Sequence, residues 1–275
     1  MTITVKPLAA PLGAEVFGVD PTRPLTDAEF AILENAMLEH LAIVISDLPE
    51  NLDWLLGLGR RCGPLVPHVL SQYHHPYTSE LSIIASNMDS AESRRTAKPA
   101  GAFWHSDLSY TAKPSDAIFL YSTIIPDDGG ETDAANMYLA YDALPAATKA
   151  RIADLRAVHR YGWNGGGAIV ELTPEQRARY PDVVHPVVRV HPRTGRKCLF
   201  VSPGYTMCIV GLPQDESDAL LEELFAHQLR PEFQYTHRWQ VNQLVGLDNR
   251  ATIHRAVAGY TKPRRMLRMI VDGTA

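Results

Sequence analysis

Little in this sequence is set aside for covalent stapling, for nucleic acid or for lipid. Its three cysteines, Cys62, Cys198 and Cys208, are odd in number, fall in no CxxC spacing and are too few to staple 275 residues. That excludes a disulfide framework and points to a reducing compartment. The formal net charge of -5 comes without a basic run or a basic helix face, so the electrostatic footprint of a nucleic-acid binder is missing. No stretch approaches the roughly 18 apolar residues of a membrane span, and residues 1–16 show no charged leader followed by an apolar segment. Internal repeats, low-complexity tracts and linkers are lacking as well. The expectation is a cytoplasmic protein of one domain, residues 1–275, that acts on a small molecule without nucleic acid or membrane. Homo-oligomer formation stays open.

What is present reads as mainly β with flanking helices. Two short strands, 2–7 and 14–19, precede a helix opening at Thr26 with a Thr-Asp-Ala-Glu capping box and an apolar stripe of Phe30, Leu33, Met37 and Leu41. A continuous apolar strand, 42–45, leads to a second helix, capped by Asn51 and stopping near Gly63. β-rich runs follow at 81–85, 117–125, 183–190, 197–201, 233–239, 243–247 and 266–271, interrupted by helices at 146–155 and 214–229. Turn signals at 126–130 and 191–195 favour antiparallel hairpins, and so a sandwich or jelly roll. The glycine-rich stretch 162–167 reads as a loop.

In Phe103-Trp104-His105-Ser106-Asp107 a strand would place His105 and Asp107 on one face. Alone the pair means little: with 11 histidines and 31 acids in 275 residues, about one His-x-acid pair arises by chance. The conjunction carries the weight, because His254 follows Asp248-Asn249-Arg250 and Arg265 comes eleven positions later. Two imidazoles and one carboxylate on one side of an octahedral iron leave three positions open, the arrangement of non-haem iron(II) oxygenases. A closed zinc site wants four ligands, preferably thiolates, which the cysteine spacing does not offer.

These residues resemble the taurine dioxygenase and 2,4-dichlorophenoxyacetate dioxygenase (TauD/TfdA) family over nearly the whole chain. The landmarks are residues 12–20 (LGAEVFGVD), the Trp104-His105-Ser106-Asp107 box, Gly129-Gly130-Glu131-Thr132, residues 185–189 (HPVVR), the run 195–201 and Asp248-Asn249-Arg250 leading to His254. The resemblance implies a double-stranded β-helix, or jelly roll, with iron(II) held by His105, Asp107 and His254. It also implies a reaction in which dioxygen and 2-oxoglutarate give succinate, carbon dioxide and a hydroxylated substrate. By the same resemblance Arg265 pairs with the distal carboxylate of 2-oxoglutarate and Thr132 hydrogen-bonds to it, for which a guanidinium fork is well shaped. Asp107 is an acid where halogenating relatives carry a small residue, so hydroxylation is expected. A hydroxylated carbon bearing oxygen, nitrogen or sulfonate would then collapse, cleaving that bond.

For the substrate, His68 falls where sulfonate-oxidising relatives place a histidine, and Asn87, Tyr161 and Tyr205 match pocket-lining positions. A small, anionic organic molecule is expected. The second arginine of those relatives falls, without gaps, on Met269, one place past Arg268. On a strand that offset points to the other face. Either a bulge brings Arg268 into the pocket or the substrate is not held as taurine is; the latter is the expectation. Trp163 and its glycines are candidates for a lid, and Leu247 stands where relatives often carry tryptophan. Two other classes stay open: a non-catalytic metal-binding jelly-roll protein, and a metal hydrolase on the same scaffold.

Overall fold

Local chemistry fixes the amino-terminal elements. In the computed structural model, which describes residues 2–88, 101–163 and 173–274, β1 (Thr4–Pro7) and β2 (Ala14–Phe17) form an antiparallel hairpin. The helix α1 (Asp27–His40) starts at the Thr26 cap. Thr26 Oγ1 accepts from Glu29 N at 3.3 Å, while the Glu29 carboxylate accepts from Thr26 N at 2.8 Å. Leu41 closes the helix in the left-handed conformation (φ 64°) and turns the chain into the fully buried β3 (Ala42–Ile45). Asn51 caps α2 (Leu52–Cys62) by accepting from Trp54 N at 3.1 Å, and Gly63 ends it.

The β-rich remainder opens with β4 (His74–His75), β5 (Thr78–Ser86), β6 (Ala117–Ile124) and β7 (Thr132–Asn136). Two short helices, α3 (Met137–Asp142) and α4 (Ala146–Ile152), lead to β8 (Arg156–His159) and then α5 (Pro174–Arg179). Next come β9 (Val183–Pro186), β10 (Val188–Val190), β11 (Lys197–Leu199), β12 (Thr206–Ile209) and the helix α6 (Gln214–Gln228). The chain finishes with β13 (Gln234–His237), β14 (Leu244–Asp248), β15 (Thr252–Ala256) and β16 (Arg264–Val271). Eight strands form the major sheet in the order β1-β2-β3-β14-β6-β16-β5-β4, and the smaller sheets are β13-β7-β15, β12-β8-β9 and β10-β11. All pairs among the described residues are antiparallel except β2 with β3. This is the jelly roll expected from the sequence.

The major sheet is buried on both faces, which is why its central strands read as continuous apolar runs. On β6, Ile118 and Leu120 join a core that includes Ala134, Leu199 and Ile253 of the smaller sheets. Phe119 and Tyr121 point the other way, into a core with Leu33 and Met37 of α1 and Trp54 and Leu55 of α2. β16 alternates in the same manner: Met266 and Ile270 face the jelly-roll interior, Leu267, Met269 and Val271 the helices.

Two expectations are corrected. The run 183–190 is two strands, because Pro186 has no N–H to continue a ladder and Val187 hydrogen-bonds instead to Leu155 and Phe200. β9 therefore pairs with β8 while β10 pairs with β11 around the 191–195 turn. The 126–130 turn closes no hairpin, since β6 and β7 belong to different sheets and the turn carries the chain between them. All three cysteines are free, and no helix among the described residues is long and apolar enough to cross a membrane.

Thr26→Ala removes one side of the capping box and is expected to lower stability by about 1 kcal/mol, read as a shift in the urea midpoint.

Candidate metal centre and active site

Each ligand of the expected triad reaches the site by its own local device. His105 lies outside any regular strand and pairs with His254 of β15: His105 N–H donates to His254 O at 3.0 Å, and His254 N–H to His105 O at 2.8 Å. This reciprocal exchange is the hydrogen-bonded pair of an antiparallel ladder, and it brings the two ring centroids to 4.4 Å. The sequence predicts Asp107 two places along the same strand. The structure puts it in a turn instead, with its backbone held by the Asn249 side chain: Asp107 N donates to Oδ1 and Nδ2 donates to Asp107 O, both at 2.9 Å. His105 Nδ1 lies 2.7 Å from Phe103 O. A carbonyl only accepts, so Nδ1 carries the proton and Nε2 offers its lone pair.

The potential ligand atoms of His105, Asp107 and His254 lie within 4.8 Å of one another, and all three residues are buried. They are the one such group among the described residues. Burial, reinforced by His105, lowers the His254 imidazole to about 3. For Asp107 burial works upward, but the Arg268 guanidinium and both imidazoles outweigh it and hold the carboxyl well below the usual range. Arg268 Nη1 lies 3.4 and 3.3 Å from the two carboxylate oxygens. A neutral imidazole at His254, a lone pair at His105 and an ionised carboxylate make a nitrogen and oxygen donor set suited to iron(II). The three residues fit that metal.

A narrow cavity opens beside the two histidines, lined by Gly101, His105, Thr132, His254, Arg264, Met266 and Arg268 among others. Gly101 leaves room for His105: a Cβ there would sit 2.9 Å from the imidazole Cε1. Thr132 is buried at the start of β7, and its hydroxyl accepts from Trp239 Nε1 at 3.0 Å. The arginine beside Thr132 is Arg264, not Arg265. Arg264 is only 5% exposed and donates from Nε to Gly130 O at 3.0 Å. Gly130, at φ 84°, admits that side chain, because a Cβ would come within 3.1 Å of Arg264 Cδ. Arg265 donates instead to Thr123 Oγ1 at 3.2 Å and is absent from the cavity wall.

The second arginine position resolves the same way. Arg268 faces the cavity, and Met269 is buried among the helices, close to Gly59. The side chains that face the cavity are thus Arg264 and Arg268, each one residue before the positions the ungapped count reaches. The β16–β6 register shift between Arg265 and Met266 lies in this region.

Around Asp107 and His105 the other expected residues divide. Tyr205 stands edge-on to His105 with centroids 5.8 Å apart, and Tyr161 joins it through Tyr110, at 4.6 and 4.8 Å. Tyr180 packs on Tyr161 at 5.3 Å. Tyr110 and Tyr180 stand in no sequence motif, and only their packing on Tyr161 brings them to the site. His68 lines a larger cavity of about 590 Å³ with Leu108, Lys113, Arg179 and Tyr180. Its imidazole is lowered to about 4 by burial and by Arg268. Asn87 is not brought to either cavity. It takes a left-handed φ of 55° and donates to Tyr260 O at 3.1 Å, tying the end of β5 to the β15–β16 connection. Leu247 is buried on β14 with its backbone opposite Ala42 and Ile118. Trp163 closes a turn on Arg160 O, and the glycines proposed to join it in a lid, Gly165, Gly166 and Gly167, lie outside the described residues.

A jelly roll that gathers two histidines and one carboxylate beside a cavity defines the class of non-haem iron oxygenases. Comparison with known proteins gives the family. The family described as taurine catabolism dioxygenase TauD, TfdA family matches residues 4–270. An alpha-ketoglutarate-dependent 2,4-dichlorophenoxyacetate dioxygenase of Cupriavidus pinatubonensis is 32% identical, over 98% of this chain and 96% of its own length. Pentalenolactone F synthase of Streptomyces arenae is 30% identical, over 99% and 95%. Among solved structures, AAD-2 in complex with Mn(II) and N-oxalylglycine has 30% identity and a TM-score of 0.83, covering 100% of this chain and 99% of that one. The chain belongs to the TauD, TfdA family and is an iron(II)- and 2-oxoglutarate-dependent dioxygenase.

Buried imidazoles set the acid limit of the metal-free protein. Burial lowers His68 and His237 to about 4, and His159 and His254 to about 3, from 6.5. Below about 6.5 the unfolded chain therefore binds protons that the folded chain refuses, and stability falls as pH is lowered toward about 4. The urea midpoint of the metal-free protein should drop between about pH 7 and pH 5 while changing little from about pH 7 to pH 8. An unchanged midpoint over the acid interval would contradict this assignment.

Proposed function

We propose that this dioxygenase hydroxylates a small organic acid whose anionic group is held by Arg268 and His68, while Arg264 and Thr132 hold the distal carboxylate of 2-oxoglutarate. Iron(II) bound by His105, Asp107 and His254 supplies the coordination of keto acid and dioxygen and the oxidation of a C–H bond, with succinate and carbon dioxide released. The observation that carries the reading is the placing of two cations on one strand face. Arg264 and Arg268 both line the metal cavity, four residues apart on β16, or about 13 Å along an extended strand. Buried charge is costly without a partner. Arg264 has no carboxylate among its described ion-pair or hydrogen-bond partners, and Arg268 reaches only the metal-ligating Asp107 while its Nε is buried without a partner. Two separated anions, one from each organic substrate, answer that need.

The chain's own residues then divide the work. Trp239 donates to the Thr132 hydroxyl, leaving the hydroxyl proton to point at a bound carboxylate. His68 Nδ1 lies 3.0 Å from Leu70 N and 3.2 Å from Leu70 O, contacts that hold the ring at the edge of the larger cavity. The tyrosine wall of Tyr110, Tyr161, Tyr180 and Tyr205 and the 590 Å³ cavity beyond His68 suit an aryl- or alkyl-bearing carboxylate or sulfonate better than a molecule as small as taurine. Relatives named for 2,4-dichlorophenoxyacetate and for sulfonates support an anionic substrate. Where the hydroxylated carbon bears oxygen, nitrogen or sulfonate, the product would collapse with cleavage of that bond. A single-domain cytoplasmic enzyme accords with the free cysteines.

Arg264→Ala should raise the KM for 2-oxoglutarate on the order of 100-fold, as loss of a bidentate charge pair would, and Arg265→Ala by less than about threefold. Succinate release against 2-oxoglutarate concentration reads both, and a larger effect at Arg265 would reverse the assignment. The substrate half is tested separately, by succinate release across aryloxyalkanoates, alkyl and aryl sulfonates and their neutral esters or amides. The wild type should respond to anions and not to the neutral analogues, and Arg268→Ala should raise the KM for the anion. Equal turnover of charged and neutral forms would sink the anionic reading.

A further inference from the structure

One buried side chain outside the ligand set bonds to both backbone groups of a ligand residue. Asn249 is fully buried in the turn between β14 and β15. Its carboxamide brackets the Asp107 residue, Oδ1 taking the N–H and Nδ2 giving to the C=O, each at 2.9 Å. The second Nδ2 proton goes to Ser115 O at 2.9 Å. Its backbone C=O accepts from Ser106 Oγ at 2.8 Å, and its N–H donates to Asp116 O at 3.1 Å. Every donor of the carboxamide is thereby used, and the residue between the two ligands of the His-x-Asp pair is fixed as well.

We propose that Asn249 is a positioning residue for the metal centre, replacing with its side chain the strand ladder that the His105–Asp107 segment lacks. A strand would fix the aim of Asp107 by backbone pairing on both sides of the residue. Here the pairing partner is a carboxamide, which presents one acceptor and one donor in the same plane as a peptide group does. The requirement is sharpened by Leu108, which follows in the left-handed conformation at φ 57°, a costly state for a branched residue unless its neighbours hold it. Because Asn249 stands in the same turn that leads to His254, it ties the aim of the carboxylate to the strand carrying the second histidine. Neither aspartate nor alanine at this position can give to the Asp107 and Ser115 carbonyls.

The proposal rests on His105, Asp107 and His254 being the metal ligands, and the test separates the two. Metal-free full-length protein is titrated with Mn(II) alone, without keto acid or oxygen, and free Mn(II) is read by electron paramagnetic resonance. Asn249→Asp and Asn249→Ala should weaken Mn(II) binding by about 10- to 100-fold. Asn51→Ala, which removes the distant α2 cap, should lower the thermal midpoint yet keep Mn(II) affinity within about twofold of wild type. Folded Asn249 variants with wild-type affinity overturn the proposal alone; a wild type that binds no Mn(II) overturns the ligand assignment and the proposal with it. Should both Asn249 variants fail to fold, Ser106→Ala decides, since it deletes only the hydroxyl bond to Asn249 O. A weakening of about threefold to tenfold is expected there, and unchanged affinity overturns the proposal.

Discussion

The exchange of backbone hydrogen bonds between His105 and His254 is the constraint on which the site depends. It joins a segment without regular secondary structure to β15, itself paired with β7. Through β7 the same small sheet carries Thr132, and through the turn before β15 it carries Asn249. A ligand pair defined by main-chain bonds is insensitive to side-chain rotamer loss, because the imidazoles leave opposed backbone positions with their separation already set. The remaining ligand, Asp107, comes in on a turn and needs the carboxamide of Asn249 for comparable definition.

The opposite wall of the site depends on alternation. β16 lies inside a sheet covered on both faces, so each of its residues belongs either to the jelly-roll interior or to the helix-facing core. Arg264, Met266 and Arg268 share the interior face. That makes the cavity's charge pattern a property of strand register rather than of individual side chains. One step in register would replace Arg264, Met266 and Arg268 by Arg265, Leu267 and Met269, leaving one cation where there were two and none opposite Asp107.

The same period explains which parts of the molecule were legible in the sequence. The α1 capping box, the Asn51 cap and the apolar strand of β3 depend on neighbours within a few residues, and they stand where the sequence puts them. The metal triad was legible because three residue types coincide with motifs along the whole chain. Which arginines of β16 face the cavity was not, since a count along the chain fixes no register and one residue reverses the face of a strand. β7, with its Thr-Asp-Ala-Ala-Asn sequence, gives almost no β signal, and only pairing with β13 and β15 makes it a strand. Asn249 belongs to the Asp248-Asn249-Arg250 motif, but its bond to Asp107 spans 142 positions, beyond the reach of any local pattern. Asn87 matches a pocket position by resemblance, and in the fold its amide bonds to the carbonyl of Tyr260.

Trp239 gives the site one more property. Its indole N–H donates to the Thr132 hydroxyl at 3.0 Å, and its ring meets His237 edge-on at 4.5 Å in a buried setting. A carboxylate bound at that hydroxyl would polarise the chain of bonds back to the indole. The emission of a buried indole follows the polarity of its hydrogen-bond partner, so Trp239 would report optically on an anion bound at Thr132, a residue of the cavity wall.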